Sequence, residues 1–221
     1  MLSLNNVLFD LDGTIMDPKE GFVKCIQYAL NQLGQPLPDE DYIASMIGPP
    51  LRATFEELLH SNDIELIKEA VGLYRRRYSK LGLFENAVYP GIIKLFEFLY
   101  ENNCNIWVVT FKPVIWTEKI VNHFSLGKWL SGVYGPSLDE RLFDKIRLVE
   151  SAISDRNIAP ENTAIVGDRK EDISAGKLNG ITTIGVTYGY GSQQEVVESL
   201  PDYICNTPLE VQQVIISHRT K

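Results

Sequence analysis

Apolar and polar positions fall into stretches of different period along this chain. Val7, Leu8 and Phe9 make a short unbroken apolar run that stops at Asp10, the pattern of a strand buried on both faces. From about residue 17 to 87 the period becomes helical. Asp17, Pro18 and Glu20 supply an N-cap, a first helical position and a capping-box partner. Phe22, Ile26, Tyr28, Ala29, Leu30 and Leu33 then recur at helical spacing until Gly34 ends the run. Pro36 and Pro38 make a break. Further helices are expected over 39–46, 51–59 (after the rigid turn Ile47, Gly48, Pro49, Pro50) and 63–80. No strand pattern interrupts this region, so it reads as an inserted all-helical subdomain.

Tyr89, Pro90 and Gly91 punctuate the return to the first pattern. A helix (Ile92, Ile93, Leu95, Phe96, Leu99) precedes the β-branched and aromatic run Ile106, Trp107, Val108, Val109. The alternation continues with a helix at 114–124, a strand near 132–134, a helix at 145–153, a strand at 164–166, a helix at 173–178 and a strand at 182–186. Ser192 with Glu195, and Thr207 with Glu210, mark two more helix starts. Strands alternating with helices of this length predict a parallel sheet. The expected fold is therefore α/β: a Rossmann-like core over 1–16 and 88–221, with a helical cap over 17–87.

Composition narrows the chemistry. A net charge of −8 disfavours a nucleic-acid polymer or an anionic membrane as partner. Cys25, Cys104 and Cys205 are scattered without C-x-x-C spacing, which argues against a disulfide framework or a zinc site. Residues 1–6 show no basic region with a cleavage site, and no apolar run has membrane length. A cytoplasmic monomer or homodimer is the expectation.

The chemistry gathers where predicted strands end. Asp10 and Asp12 are two apart, so on an extended chain they project to one side, roughly 6–7 Å from each other. Gly13 permits a sharp turn beyond them. Thr110 ends the second apolar run, Lys145 opens a helix, and Asp168 and Asp172 follow the run Ala164, Ile165, Val166, Gly167. An EF-hand loop does not fit, because Thr14 stands where a third acid is needed.

The D-x-D-G-T sequence at 10–14, the strand-end Thr110, the helix-opening Lys145 and the G-D-x-x-x-D sequence at 167–172 resemble the four motifs of the haloacid dehalogenase superfamily. The resemblance is to its phosphatase branch, of phosphoglycolate phosphatase and 5′-nucleotidase type, with a small helical cap. It implies a Mg²⁺-dependent phosphatase acting on a small phosphorylated metabolite. By resemblance Asp10 is the nucleophile, forming an aspartyl-phosphate, and Asp12 the acid and base. Superfamily dehalogenases generally lack that second acid. Thr110 would donate to a phosphoryl oxygen, with Lys145 as second positive centre and Lys112 as its rival. Ile146 stands where Pro usually follows the lysine. Asp10, the Asp12 carbonyl, Asp168 and Asp172 would hold Mg²⁺, while Leu11, Thr14, Lys112 and, from the cap, Arg52 would meet substrate. A cation makes physical sense, since two like charges 4 Å apart cost about 4 kcal/mol at an effective dielectric of 20. A sugar-phosphate mutase and a non-catalytic phospho-binding regulator are the competing readings.

Overall fold

The computed structural model describes residues 3–138 and 144–218. The chain divides into one unit of residues 1–17 with 88–221 and another of residues 18–87. In order, the elements begin with β1 (Asn6–Phe9), β2 (Met16–Asp17), α1 (Lys19–Gln32), α2 (Glu40–Ser45), α3 (Leu51–Leu58), α4 (Ile64–Arg77) and a π-helical turn at Tyr78–Gly82. They continue with β3 (Ala87–Val88), α5 (Ile92–Glu101), β4 (Asn105–Val109), α6 (Val114–His123), β5 (Leu130–Tyr134) and α7 (Lys145–Asp155). The last are β6 (Thr163–Gly167), α8 (Lys170–Leu178), β7 (Thr182–Val186), α9 (Gln193–Glu198), β8 (Tyr203–Cys205) and α10 (Pro208–Ser217).

The larger unit is built on a six-stranded parallel sheet in the order β5-β4-β1-β6-β7-β8. The chain moves outward from β1 through β4 to β5, then crosses back to β6 and moves outward the other way. This is the doubly wound order, and its reversal lies beside β1. Burial explains the unbroken apolar runs. Val7, Leu8, Phe9, Val108, Val109, Ile165 and Val166 are all fully shielded, as expected of strands with helices on both faces. On one face Leu8, Trp107, Val109 and Ile165 pack with Val149, Ala152 and Ile158. On the other, Phe9 meets Phe96 with ring centroids 5.3 Å apart.

The smaller unit carries the helical pattern. Phe22, Ile26, Ala29 and Leu30 are the buried stripe of α1. Tyr74 contacts Phe22 and Phe55 edge-on and stacks on Tyr78 at 5.3 Å. The helix expected over 63–80 ends its α-helical geometry at Arg77 and continues as the π turn. There Gly82 admits no side chain, because a Cβ would lie 2.7 Å from Cys25 Sγ. Arg77 grips Glu85 through two bonds of 2.6 and 3.0 Å.

Two local expectations are corrected. Asp17 does not cap α1, which begins at Lys19 behind Pro18 without a side-chain cap bond. Asp17 is extended in β2 and its carboxylate accepts from the Tyr190 hydroxyl instead. The strands β2, β3 and β8 were not foreseen, being only two or three residues long. Runs that short carry no readable period.

Candidate active site

Parallel register sets which residues meet. Phe9 pairs with Val108 on one side and Val166 on the other. The first residues beyond the three strands, Asp10, Thr110 and Asp168, therefore emerge together at the carboxyl edge of adjacent strands. That edge, at the reversal of strand order, is where open α/β sheets bind ligands.

Asp10, Asp168 and Asp172 are all buried, and each offers a carboxylate oxygen within 4.8 Å of the others. Lys145, only 3% exposed, reaches into this group from the first position of α7. Its Nζ donates to Asp10 Oδ1 at 2.6 Å and lies 2.8 Å from Asp172 Oδ1. The Phe111 ring covers the ammonium at 5.2 Å. Lys112 reaches a different acid, with its Nζ 2.6 Å from Asp12 Oδ1. The two lysines thus reach different acids, Lys145 meeting Asp10 and Asp172 and Lys112 meeting Asp12. Thr110 is buried, and its Oγ1 accepts from the Lys112 amide at 3.2 Å, leaving the hydroxyl hydrogen to be donated elsewhere.

Asp168 is held by a loop that follows β7. Its Oδ2 accepts from the amides of Tyr190 at 2.8 Å and Gly191 at 3.2 Å, and its Oδ1 from the Thr14 hydroxyl at 3.1 Å. Gly13, with φ of +85°, turns the chain against this carboxylate, and a Cβ there would stand 2.3 Å from Asp168 Oδ2. Only glycine combines that backbone conformation with that approach.

The charges show what burial does to a crowded acid site. Burial pushes the Asp168 carboxyl up to about 6, Asp10 adds to the rise, and the Tyr190 and Gly191 amides hold it back. Burial also raises Asp172, against the pull of Lys145. Asp12 is raised by burial, lowered by Lys112 and raised again by Asp10. For Lys145 burial acts downward, but Asp10 and Asp172 outweigh it and hold the ammonium above the ordinary lysine value. Three buried carboxylates crowd about one buried ammonium, which pairs with two of them, an imbalance that a divalent cation would correct. Their all-oxygen donor set is the kind Mg²⁺ takes.

The other residues singled out from sequence are placed as follows. Leu11 is fully buried, and its carbonyl accepts from the Ile15 and Met16 amides at 2.9 Å. Thr14 is turned onto Asp168. Arg52, exposed on α3, pairs with Glu56 at 2.7 Å. Leu142 and Phe143, ahead of Lys145, lie outside the described residues. The amides of Tyr190 and Gly191 were missed. The available signal was the Tyr-Gly-Tyr-Gly run at 188–191, where glycines directly after a core strand mark close backbone approach.

Comparison with known proteins agrees with this geometry. The family model described as haloacid dehalogenase-like hydrolase matches residues 7–186. A relative from Pseudomonas aeruginosa named 5′-nucleotidase is 36% identical, with 96% of each chain covered. A second, named tyrosine-protein kinase PtkA, from Mycobacterium tuberculosis, is 32% identical over 84% of this chain and 62% of its own length. Among solved structures, a predicted phosphatase from Clostridium acetobutylicum superposes with a TM-score of 0.90 at 34% identity, covering 97% of this chain and 99% of its own. Strand order, the strand-end acids and these likenesses converge: the chain belongs to the haloacid dehalogenase-like hydrolases and is a phosphatase of that family.

Proposed function

We propose that the protein is a Mg²⁺-dependent phosphomonoesterase for a small phosphorylated metabolite, working through an aspartyl-phosphate. The observation that carries this reading is the buried Asp10 carboxylate, fixed by Lys145 beside Asp168 and Asp172, with a second acid, Asp12, on a lysine of its own. The cation would be held by Asp10, Asp168 and the Asp12 carbonyl, with Asp172 alongside, and when bound it supplies positive charge against the acids and the phosphate.

In this scheme an Asp10 oxygen attacks phosphorus while the bond from phosphorus to the substrate oxygen breaks. Asp12 gives its proton to the departing oxygen, so the alcohol leaves neutral. Asp12, now a carboxylate, takes a proton from water as that water attacks the phosphoryl group. Phosphate departs and Asp10 is restored, one difficult displacement having become two easier ones. The upward push of burial on Asp12 favours the protonated form that the first step needs. Lys145, the Thr110 hydroxyl and the Leu11 and Asp12 amides are assigned to phosphoryl oxygens, where fixed donors stabilise developing charge.

The helical unit is assigned as the cap that selects substrate, with Arg52 gripping its anionic end. The 36%-identical relative supports nucleoside 5′-monophosphates as the first class to test, with phosphoglycolate second. Phosphate release from a panel of phosphate esters with added Mg²⁺ tests the reaction. Asp10→Asn is expected to lose at least about 10³-fold in turnover while circular dichroism stays unchanged. Activity within tenfold of the unaltered protein would overturn the covalent route. Arg52→Ala is expected to raise KM for the preferred substrate by about tenfold or more, and an unchanged KM removes it from the site.

A further inference from the structure

The segment after β7 does more than connect the sheet to α9. Tyr190 and Gly191 give two amides to one oxygen of Asp168. The other oxygen accepts only the Thr14 hydroxyl among the bonds described, and a carboxylate oxygen has lone pairs for a further partner. The loop lies so close that a Cβ at Gly189 would be 2.3 Å from the Gly13 carbonyl, and one at Gly191 would be 1.8 Å from the Asp168 carbonyl. Glycines permit that approach but have no side chains to hold it. The tyrosines do. Tyr188 donates to the Thr14 carbonyl at 3.1 Å and packs edge-on against Tyr89 at 5.2 Å. Tyr190 donates through its hydroxyl to Asp17.

The far end is fastened too. Glu195, whose sequence position marks it as a capping-box residue, turns its carboxylate away from Ser192. It accepts from Arg169 Nη1 and from the Lys170 amide, both at 3.1 Å. Asp168 and the two residues after it are therefore gripped by one continuous stretch.

We propose that residues 188–195 form a positioning clamp for Asp168, anchored by the Tyr190 hydroxyl on Asp17, that presents one carboxylate oxygen to the cation. The clamp rests on the metal reading above. Tyr190 touches neither substrate nor cation; it acts through the amide it places on Asp168.

Manganese binding, followed by the loss of free Mn²⁺ signal in electron paramagnetic resonance, tests this on the full chain without substrate. Tyr190→Phe deletes one hydroxyl and is expected to weaken Mn²⁺ about tenfold, the lower end of the range for partners of metal ligands. Asp17→Ala should do the same, and Asp17→Asn, whose amide oxygen still accepts, should bind as the unaltered protein does. The Tyr190→Phe, Asp17→Ala double variant should be no weaker than either single change. Unchanged Mn²⁺ affinity in Tyr190→Phe and Asp17→Ala overturns the clamp, as does an Asp17→Asn variant as weak as Asp17→Ala. Should Tyr190→Phe fail to fold, the contrast between the Asp17 variants decides alone. No Mn²⁺ binding by the unaltered protein would instead overturn the metal reading, and the clamp with it.

Discussion

Two lysines of the same charge sit in different surroundings here. Lys145 is sealed in with Asp10 and Asp172. Lys112 and Asp12 sit nearer the surface, with side chains 9% and 20% exposed. Removing one partner of a buried pair leaves the other charge uncompensated, at a cost of about 3–5 kcal/mol. Lys145→Ala is expected to lose that much in urea denaturation without metal, and Mg²⁺ should restore part of it. Lys112→Ala should lose no more than about 1–3 kcal/mol, the range for a charge-assisted hydrogen bond, and Mg²⁺ should restore little. Equal losses, or equal rescue, would contradict the separate environments. Sequence alone had offered these residues as rivals for one role. Residue type and strand-end position were legible, whereas which acid each lysine reaches depends on side-chain direction.

At the scale of elements, the turn after β1 is a tight joint of the larger unit. Gly13 and Gly180 both have positive φ, but a Cβ at Gly180 meets nothing within 4 Å. Gly180→Ala should therefore lose only the left-handed backbone cost, about 1–2 kcal/mol. Gly13→Ala adds a collision with Asp168, so it should lose more stability and also weaken Mn²⁺ binding, which Gly180→Ala leaves alone. Parallel denaturation and metal titrations check both halves. Most helices and all the long core strands were readable because each has enough residues to show a period. What escaped was set by long-range contact: the short strands, the release of Asp17 from capping, and the diversion of Glu195 to Arg169. In the last two cases a tertiary partner displaced the local bond that propensity foretold. The parallel core was legible for the same reason that the acids were. Strands buried on both faces read as pure apolar runs, and the first polar residue after each run marks the ligand edge.

For the molecule as a whole, gathering acids should make stability and metal binding depend on pH together. No helix among the described residues is long and apolar enough to cross a membrane. Asp168 rises from 3.8 to about 6 on folding. A raised carboxyl binds its proton more tightly in the folded state, so its contribution is present in full below about 4 and lost as pH climbs through 6. The amount is about 3 kcal/mol. Burial shifts Asp172 and Asp12 the same way. Glu85, lowered by its hydrogen bonds to Arg77, acts oppositely, but its window lies below the ordinary glutamate value of 4.5. Lys145, raised, keeps its contribution until well above neutrality. A cation competes with protons for these oxygens, so its stabilising effect should grow over the range in which the metal-free protein weakens. The difference in Tm with and without Mg²⁺ isolates the site, since groups elsewhere cancel. From pH 5 to 7.5 about 1.4 kcal/mol of the Asp168 contribution remains to be lost, so at saturating Mg²⁺ that difference should be larger at pH 7.5 than at pH 5 by roughly 3–6 °C, taking 2–4 °C per kcal/mol for a chain of this size. In Asp168→Asn, where one buried charge is gone, that pH dependence should shrink. An equal Mg²⁺ effect at both pH values would mean that the cation, if bound, is not held by these carboxylates.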